Sequence, residues 1–203
     1  MKAEGRLDVS RETIERLETY ATLLRKWSPR INLVAKSTLD DLWTRHIIDS
    51  AQVFALAPRP VRHWADLGSG GGFPGIVVAI LAAEAGHQTK VTLVENDQRK
   101  CAFLRTVLRE TAVAADVVRG RIEEIPPLQA DVVSARALAD LTTLLGYAHR
   151  HMPSDGLALF HKGVTWKKEL EDAQTSWKFQ YRVARSETGE GPVILSISGV
   201  SRV

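Results

Sequence analysis

Between residues 64 and 75 the chain reads Trp64-Ala65-Asp66-Leu67-Gly68-Ser69-Gly70-Gly71-Gly72-Phe73-Pro74-Gly75. An apolar strand candidate runs into a glycine-rich turn, and the turn runs into the apolar stretch 76–83. Five of the eight residues from 68 to 75 are glycine. Ordered glycine gives up more chain entropy than any other residue, so this density points to a backbone that turns tightly and leaves room beside it. Strand, glycine loop and helix in that order predict a parallel βα unit with a nucleotide-like ligand against the loop.

The rest of the chain after Pro60 fits that unit. Strand candidates 62–67, 90–95, 115–119, 131–134 and 156–161 alternate with helices 74–85, 97–110 and 138–151. Such alternation predicts an α/β fold, a doubly wound and mostly parallel sheet with helices on both faces. Two β-rich runs, 178–185 and 192–199, flank Glu187-Thr188-Gly189-Glu190-Gly191 and predict a hairpin that closes the sheet with an antiparallel C-terminal edge. This is the plan of the Rossmann-like class I methyltransferase fold. Before Pro58 and Pro60 the pattern is helical. Ser10 can cap a helix over 10–27 with Ile14, Leu17, Tyr20 and Leu24 on one face, and Pro29 is expected to end it. A second helix is predicted over 38–56, with Leu39, Leu42, Trp43, His46, Ile47, Ala51 and Phe54 inward. Residues 1–60 thus form an N-terminal helical extension and 61–203 the main domain.

Composition narrows the function classes. With 203 residues, 44% hydrophobic and 25% charged, the chain has an ordinary globular profile. No apolar run approaches the roughly 20 residues that span a bilayer. Residues 1–11 lack the apolar core of a signal peptide, so a cytoplasmic protein is expected. Cys101 is the single cysteine, which excludes an internal disulfide. A net charge of +3 permits a phosphate-rich partner without demanding one.

Gly70 to Gly75 also match the G-x-G-x-x-G pattern of dinucleotide sites. Two residues favour S-adenosylmethionine. Asp66 suits an ammonium and a sulfonium but would repel a pyrophosphate. Pro74, at the first helical position, removes an N–H that a phosphate would use. Glu95 ends the next strand, where a carboxylate can accept both ribose hydroxyls. That device serves both cofactor classes, so a nicotinamide-dependent oxidoreductase stays as the alternative from a different class.

The segment Asp66-Leu67-Gly68-Ser69-Gly70-Gly71-Gly72-Phe73-Pro74-Gly75 resembles the loop of the bacterial 16S ribosomal RNA guanine-N7 methyltransferases, also called glucose-inhibited division protein B. Further segments agree in order: Trp27-Ser28-Pro29-Arg30-Ile31-Asn32-Leu33, Arg45-His46-Ile47-Ile48-Asp49-Ser50, Gly120-Arg121-Ile122-Glu123-Glu124, Ser134-Ala135-Arg136-Ala137 and Lys162-Gly163. The resemblance covers about residues 10–198. It implies transfer from S-adenosylmethionine, leaving S-adenosylhomocysteine, to N7 of guanine 527 in 16S ribosomal RNA, on the small subunit or an assembly intermediate. It also implies that Gly68 and Phe73 line the cofactor with Gly70, that Ile122 and Glu123 flank its adenine, and that Arg136 borders the transfer site. His161, before Lys162-Gly163, departs from the family pattern, a departure that would bear on RNA contact and leaves it without a firm role. Another RNA or a small molecule remains the alternative substrate.

The residues agree with that chemistry. N7 of neutral guanine carries a lone pair and needs alignment rather than a general base. No Asn/Asp-Pro-Pro-aromatic motif follows the fourth strand, where amine methyltransferases keep one. Cys101 reads as a small buried residue, and no cluster has metal-ligand spacing. Arg136 is the candidate for positioning substrate, against a structural ion pair with Asp66 or Glu123. His46 reads as a core histidine, with a role in shaping the site as the alternative that the resemblance lends it. Asp49 can pair with Arg45 or face the site, and His149 and His151 read as caps of a helix end. Arg25, Lys26, Arg30, Lys36, Arg45 and Lys162 are candidates for RNA contact, with Trp27 and Trp43 nearby as an RNA shelf, although the helical spacing of Trp43 favours a core position for it.

Overall fold

The computed structural model describes residues 7–58, 60–86, 88–187, 189 and 191–203. Thr188 and Glu190 of the hairpin loop, and residues 1–6 of the extension, lie outside the described residues. The chain begins with α1 (Arg11–Ile31), a 3-10 turn (Lys36–Thr38), a π-helix (Trp43–Ile48) and α2 (Asp49–Leu56). Next come β1 (His63–Leu67), α3 (Gly75–Glu84), β2 (Lys90–Glu95), α4 (Gln98–Thr111) and β3 (Asp116–Arg119). The second half contains β4 (Val132–Arg136), α5 (Leu141–His151), β5 (Leu157–Lys162), α6 (Trp166–Gln174), β6 (Trp177–Arg185) and β7 (Val193–Arg202). The sheet order is β3-β2-β1-β4-β5-β7-β6. The first five strands in that order are parallel, β7 runs antiparallel to β5, and β6 pairs antiparallel with β7. The doubly wound sheet and its antiparallel edge are therefore as expected.

Two expectations about helices need correction, and one helix was missed. Helix α1 runs through Pro29 to Ile31 and ends at Asn32 in the left-handed region, φ 50°, with its N–H on the Ser28 carbonyl at 2.9 Å. A proline in the last turn forfeits one bond where the helical ladder is ending anyway. The region 38–56 is not one regular helix. Its middle widens to a π-helix, and two of its carbonyls take side-chain donors, Arg45 from Arg136 Nη2 at 2.8 Å and His46 from Ser50 Oγ at 2.6 Å. Helix α6 was not expected, because only Leu170 and Ala173 of its charged sequence are buried and the apolar period is too short to read.

The sheet divides the core. On one face Trp64 and Leu93 pack with Val77, Ile80, Phe103 and Leu104. On the other, Ala65, Leu67, Val94 and Val133 meet Leu141, Leu145 and Trp177. The N-terminal helices belong to the first face. Leu17, Tyr20, Leu24, Ile47 and Val53 are all fully buried in the same cluster as α3 and α4. Residues 76 to 82 of α3 are consequently buried on every side, as a helix without a polar face must be.

Gly75 shows how close α3 comes to the strands. A Cβ there would lie against Leu93, 2.7 Å from Asp66 Oδ2 and 2.8 Å from Asp66 Cβ. Gly75→Ala is expected to lower stability by about 1–3 kcal/mol, the usual cost of overpacking. Urea unfolding checks this, and an unchanged midpoint would show that the contact gives way freely.

Candidate functional site

A cavity of about 750 Å³ opens at the carboxyl ends of β1, β2 and β4. There the strand order reverses, and the diverging helices leave a crevice. Its floor is the glycine loop, with Gly68, Gly70 and Phe73 at the surface of the cavity. Val94 and Glu95 close one side, Gly120 to Glu123 a second, and Arg136 to Leu138 a third. The fourth wall comes from the extension: Asn32, Leu33, Val34, Ala35, Thr38 and His46. Sequence reading missed this wall, apart from His46, and missed Tyr147. The only local hint was an asparagine, tolerant of the left-handed region, just past the end of a helix.

The loop is held from several directions. Gly70 N–H donates to Glu95 Oε2 at 2.8 Å, and Asp97 N–H donates to Oε1 at 2.8 Å. From above, Tyr20 Oη donates to the Gly71 carbonyl at 2.5 Å, and its ring lies 5.1 Å from that of Phe73. Burial pushes the Tyr20 phenol well above its ordinary pKa, so it stays a donor. Gly72 has φ 93°, and a Cβ there would fall 2.6 Å from Ile76 and 2.9 Å from the Tyr20 oxygen.

Asp66, expected to meet a ligand ammonium, is fully buried beneath the loop and is not at the cavity wall. Its Oδ1 accepts from Ser134 Oγ at 2.7 Å, and that hydroxyl accepts from Trp64 Nε1 at 2.9 Å. Oδ2 has no partner of hydrogen-bonding geometry. Burial raises its pKa to about 6, against the pull of Ser134, Ser69 and the Gly75 N–H.

The adenine-side candidates sit together. The Ile122 carbonyl accepts from His151 Nε2 at 2.8 Å, so His151 is a buried strut for this segment and not a helix cap. His149 likewise turns to the Val200 carbonyl, 3.3 Å, and the Trp177 ring. Glu123 accepts from Tyr147 Oη at 2.5 Å, which lowers the carboxyl pKa and pushes the phenol up to about 12.

Arg136 reaches the cavity from the end of β4, its side chain 20% exposed and its guanidinium 6.0 Å from the Phe73 ring centre. Its ionic partner is Asp49, at 3.3 Å, and neither Asp66 nor Glu123. Asp49 does not turn to Arg45 but also meets His161 Nε2 at 3.1 Å. Burial would raise the Asp49 pKa, yet His161, Arg136 and Ser186 together hold it at about 2. His46 stacks on Phe73 at 4.9 Å and shares a hydrogen bond of 2.9 Å with Thr38 Oγ1. Burial, then Arg136, lowers its pKa to about 4, so it is neutral at physiological pH.

Of the RNA candidates, Arg25, Lys26, Arg30, Lys36 and Arg45 are exposed. Lys162 is not available. It is 8% exposed, bonded to the Ala139 carbonyl at 2.9 Å and paired with Glu169 at 2.5 Å. The tryptophans form no open shelf: Trp27 packs on Phe103 at 5.7 Å, and Trp27 and Trp43 are both half-buried against the core. Cys101 is buried, with its thiol on the Glu95 carbonyl. Among the described residues no group of three or more His, Cys, Asp or Glu could hold a metal ion.

A family model described as rRNA small subunit methyltransferase G matches residues 13–190. The protein named ribosomal RNA small subunit methyltransferase G in Ruegeria pomeroyi is 58% identical over 197 residues, 97% of this chain and 96% of that protein. Its namesake in Ruegeria sp. (strain TM1040) is 55% identical with the same coverage. Among solved structures, a TehB-like SAM-dependent methyltransferase from Corynebacterium glutamicum superposes with a TM-score of 0.58 at 18% identity. That match covers 92% of this chain and 99% of the other, and it establishes the class I methyltransferase fold.

The buried Asp66 makes stability depend on pH. Its folded pKa of about 6 lies above the ordinary 3.8, so the folded state binds the proton more tightly between those values. The group's contribution is complete below about 3.8 and is lost as pH rises through 6. Relative to Asp66→Asn, the wild type should therefore lose up to about 3 kcal/mol between pH 4 and 7. Urea titrations of both proteins across that range check the difference, and parallel curves would mean that Asp66 titrates normally.

Proposed function

The chain belongs to the rRNA small subunit methyltransferase G family, and from that premise we propose that it methylates N7 of guanine 527 in 16S ribosomal RNA with S-adenosylmethionine. The substrate on this reading is the small subunit or an assembly intermediate, and the compartment is the cytoplasm. No helix among the described residues is long and apolar enough to cross a membrane.

The cavity's donor set fits the cofactor. Glu95 already takes two main-chain N–H groups, one on each oxygen, and each oxygen keeps a further lone pair for the ribose hydroxyls. Val94 and Ile122 supply apolar walls for adenine, with Glu123 beside them. The bare backbone at Gly68 and Gly70 admits the amino-acid end near Phe73, while Asp66 supports the loop from below. Bound there, S-adenosylmethionine supplies an electrophilic methyl on a sulfonium centre.

The observation that carries the N7 reading is the lack, among the described residues, of an available proton acceptor beside Arg136. His46 spends Nε2 on Thr38, and its Nδ1 is buried. Asp49 is engaged by Arg136, His161 and Ser186, and the lone pairs left on Glu95 are those that take the ribose hydroxyls. Methylating an exocyclic amine calls for loss of a proton, whereas guanine N7 offers its lone pair as it stands. As the nitrogen–carbon bond forms and the carbon–sulfur bond breaks, positive charge passes to the base. Arg136 holds the base or its phosphate, since a guanidinium can do either. Arg30 and Arg45 lie within two residues of cavity-wall positions, so with Arg25 and Lys26 they form the approach for the RNA backbone.

Single-turnover transfer with pre-bound RNA should be nearly independent of pH between about 6 and 8.5, because no group must ionise to activate the nucleophile. Arg136→Ala should slow transfer without introducing a pH dependence. A tenfold rise following one ionisation would mean that a base is required and that the target atom is another. Converting Arg25, Lys26 and Arg30 to Glu should flatten the salt dependence of RNA binding, each lost phosphate contact reducing the slope by about 0.7–0.9. S-adenosylhomocysteine affinity, measured by calorimetry, should stay unchanged, and NAD should not raise the melting temperature as S-adenosylhomocysteine does.

A further inference from the structure

Arg136 is gripped from behind the cavity. Nη2 donates to the Arg45 carbonyl at 2.8 Å, and Nη1 lies 3.3 Å from Asp49 Oδ2. Both partners belong to the segment where the π-helix passes into α2. A π turn carries its backbone out of the regular ladder, and here the displaced carbonyl of Arg45 meets the guanidinium. Asp49 is itself fixed. Its Oδ2 is 3.1 Å from His161 Nε2, and its Oδ1 accepts from Ser186 Oγ at 2.7 Å. His161 is directly opposite Arg136 in the β4–β5 register, and Ser186 comes immediately after the last residue of β6. Three separate stretches of chain thus converge on the carboxylate of Asp49, a residue that is 5% exposed.

Stability does not explain such an arrangement. Taking a carboxylate and a guanidinium out of water costs several kcal/mol per ion, and apolar residues of similar volume often hold a fold equally well or better. What the ionic arrangement provides is direction, because a guanidinium fixed by a carboxylate on one edge and a carbonyl on another cannot swing. We propose that Asp49, held by His161 and Ser186, is a positioning residue for methyl transfer: it sets the orientation in which Arg136 meets the substrate. This rests on the substrate-holding role of Arg136 argued above. It gives His161 a function that its departure from the family pattern did not suggest, as the second donor that keeps the Asp49 carboxylate facing Arg136.

A double-mutant cycle on the single-turnover rate, at saturating cofactor and RNA, tests the proposal. Asp49→Asn keeps the volume and removes the charge. It should slow transfer on the order of 10- to 100-fold, the scale on which a substrate-holding group displaced by about 1 Å loses rate. S-adenosylhomocysteine affinity should shift less than about threefold, because the cofactor side of the cavity is untouched. In the Arg136→Ala background the same change should cost nothing more. Ser186→Ala, at the rim of the cluster, should give a smaller loss that also vanishes in that background, and it serves if Asp49→Asn does not fold. Equal losses in both backgrounds would make Asp49 a structural residue and overturn the proposal. A normal rate for both Asp49→Asn and Ser186→Ala, with Arg136→Ala slow, would overturn it while leaving the role of Arg136 standing. A normal rate for Arg136→Ala would remove that role, and this inference with it.

Discussion

Glu95 takes the N–H of Gly70 on one carboxylate oxygen and that of Asp97 on the other. Those two bonds fasten the glycine loop to the end of β2 and start the turn into α4, whose first amides are then capped by Asp97. The loop has almost no side chains with which to hold itself, so its shape has to be imposed by its neighbours. Tyr20 does this from above through the Gly71 carbonyl, and Asp66 from below, its carbonyl accepting from Ser69 Oγ at 3.0 Å.

The N-terminal extension is a structural part of the site. Its helix α1 supplies Tyr20 to the loop and buries Leu17 and Leu24 against α3 and α4. The stretch after α1 forms a cavity wall at Asn32 to Ala35, and the π-helix supplies His46 and the Arg45 carbonyl. Removing these residues would expose the apolar surface of α3 and open one side of the cavity. The same segment that carries the exposed Arg25, Lys26 and Arg30 therefore also completes the wall, so RNA approach and cofactor enclosure share one element.

Two kinds of reading failed, for two physical reasons. Helix ends and irregular helices were misjudged where tertiary contacts overrode local rules. Pro29 sits harmlessly in a last turn, and the π-helix exists where Arg136 and Ser50 take up its carbonyls. Charged residues were misjudged where their partners are remote. Lys162 looked like an RNA contact, but Glu169 lies on α6, a helix too polar to show in the pattern. Asp66 looked like a ligand contact because it lies near the end of a strand beside the loop. Its pleat position instead turns it under the loop, toward the Ser134 of a neighbouring strand.

Short-range rules suffice for part of this structure, and the amino-acid sequence alone settles that part. The alternation of strands and helices, the glycine loop, the acidic residue closing β2 and the helical character of much of 11–56 are all written in periodicity, in turn chemistry and in the space that glycine leaves. Only the assembled fold settles which side chains meet. Arg136 finds the Arg45 carbonyl 91 positions away, His161 finds Asp49 across 112, and Ser186 reaches Asp49 across 137. No local pattern encodes those meetings. They arise because a parallel sheet brings the carboxyl ends of distant strands to one edge, where the packing of α2 against that edge sets the partners.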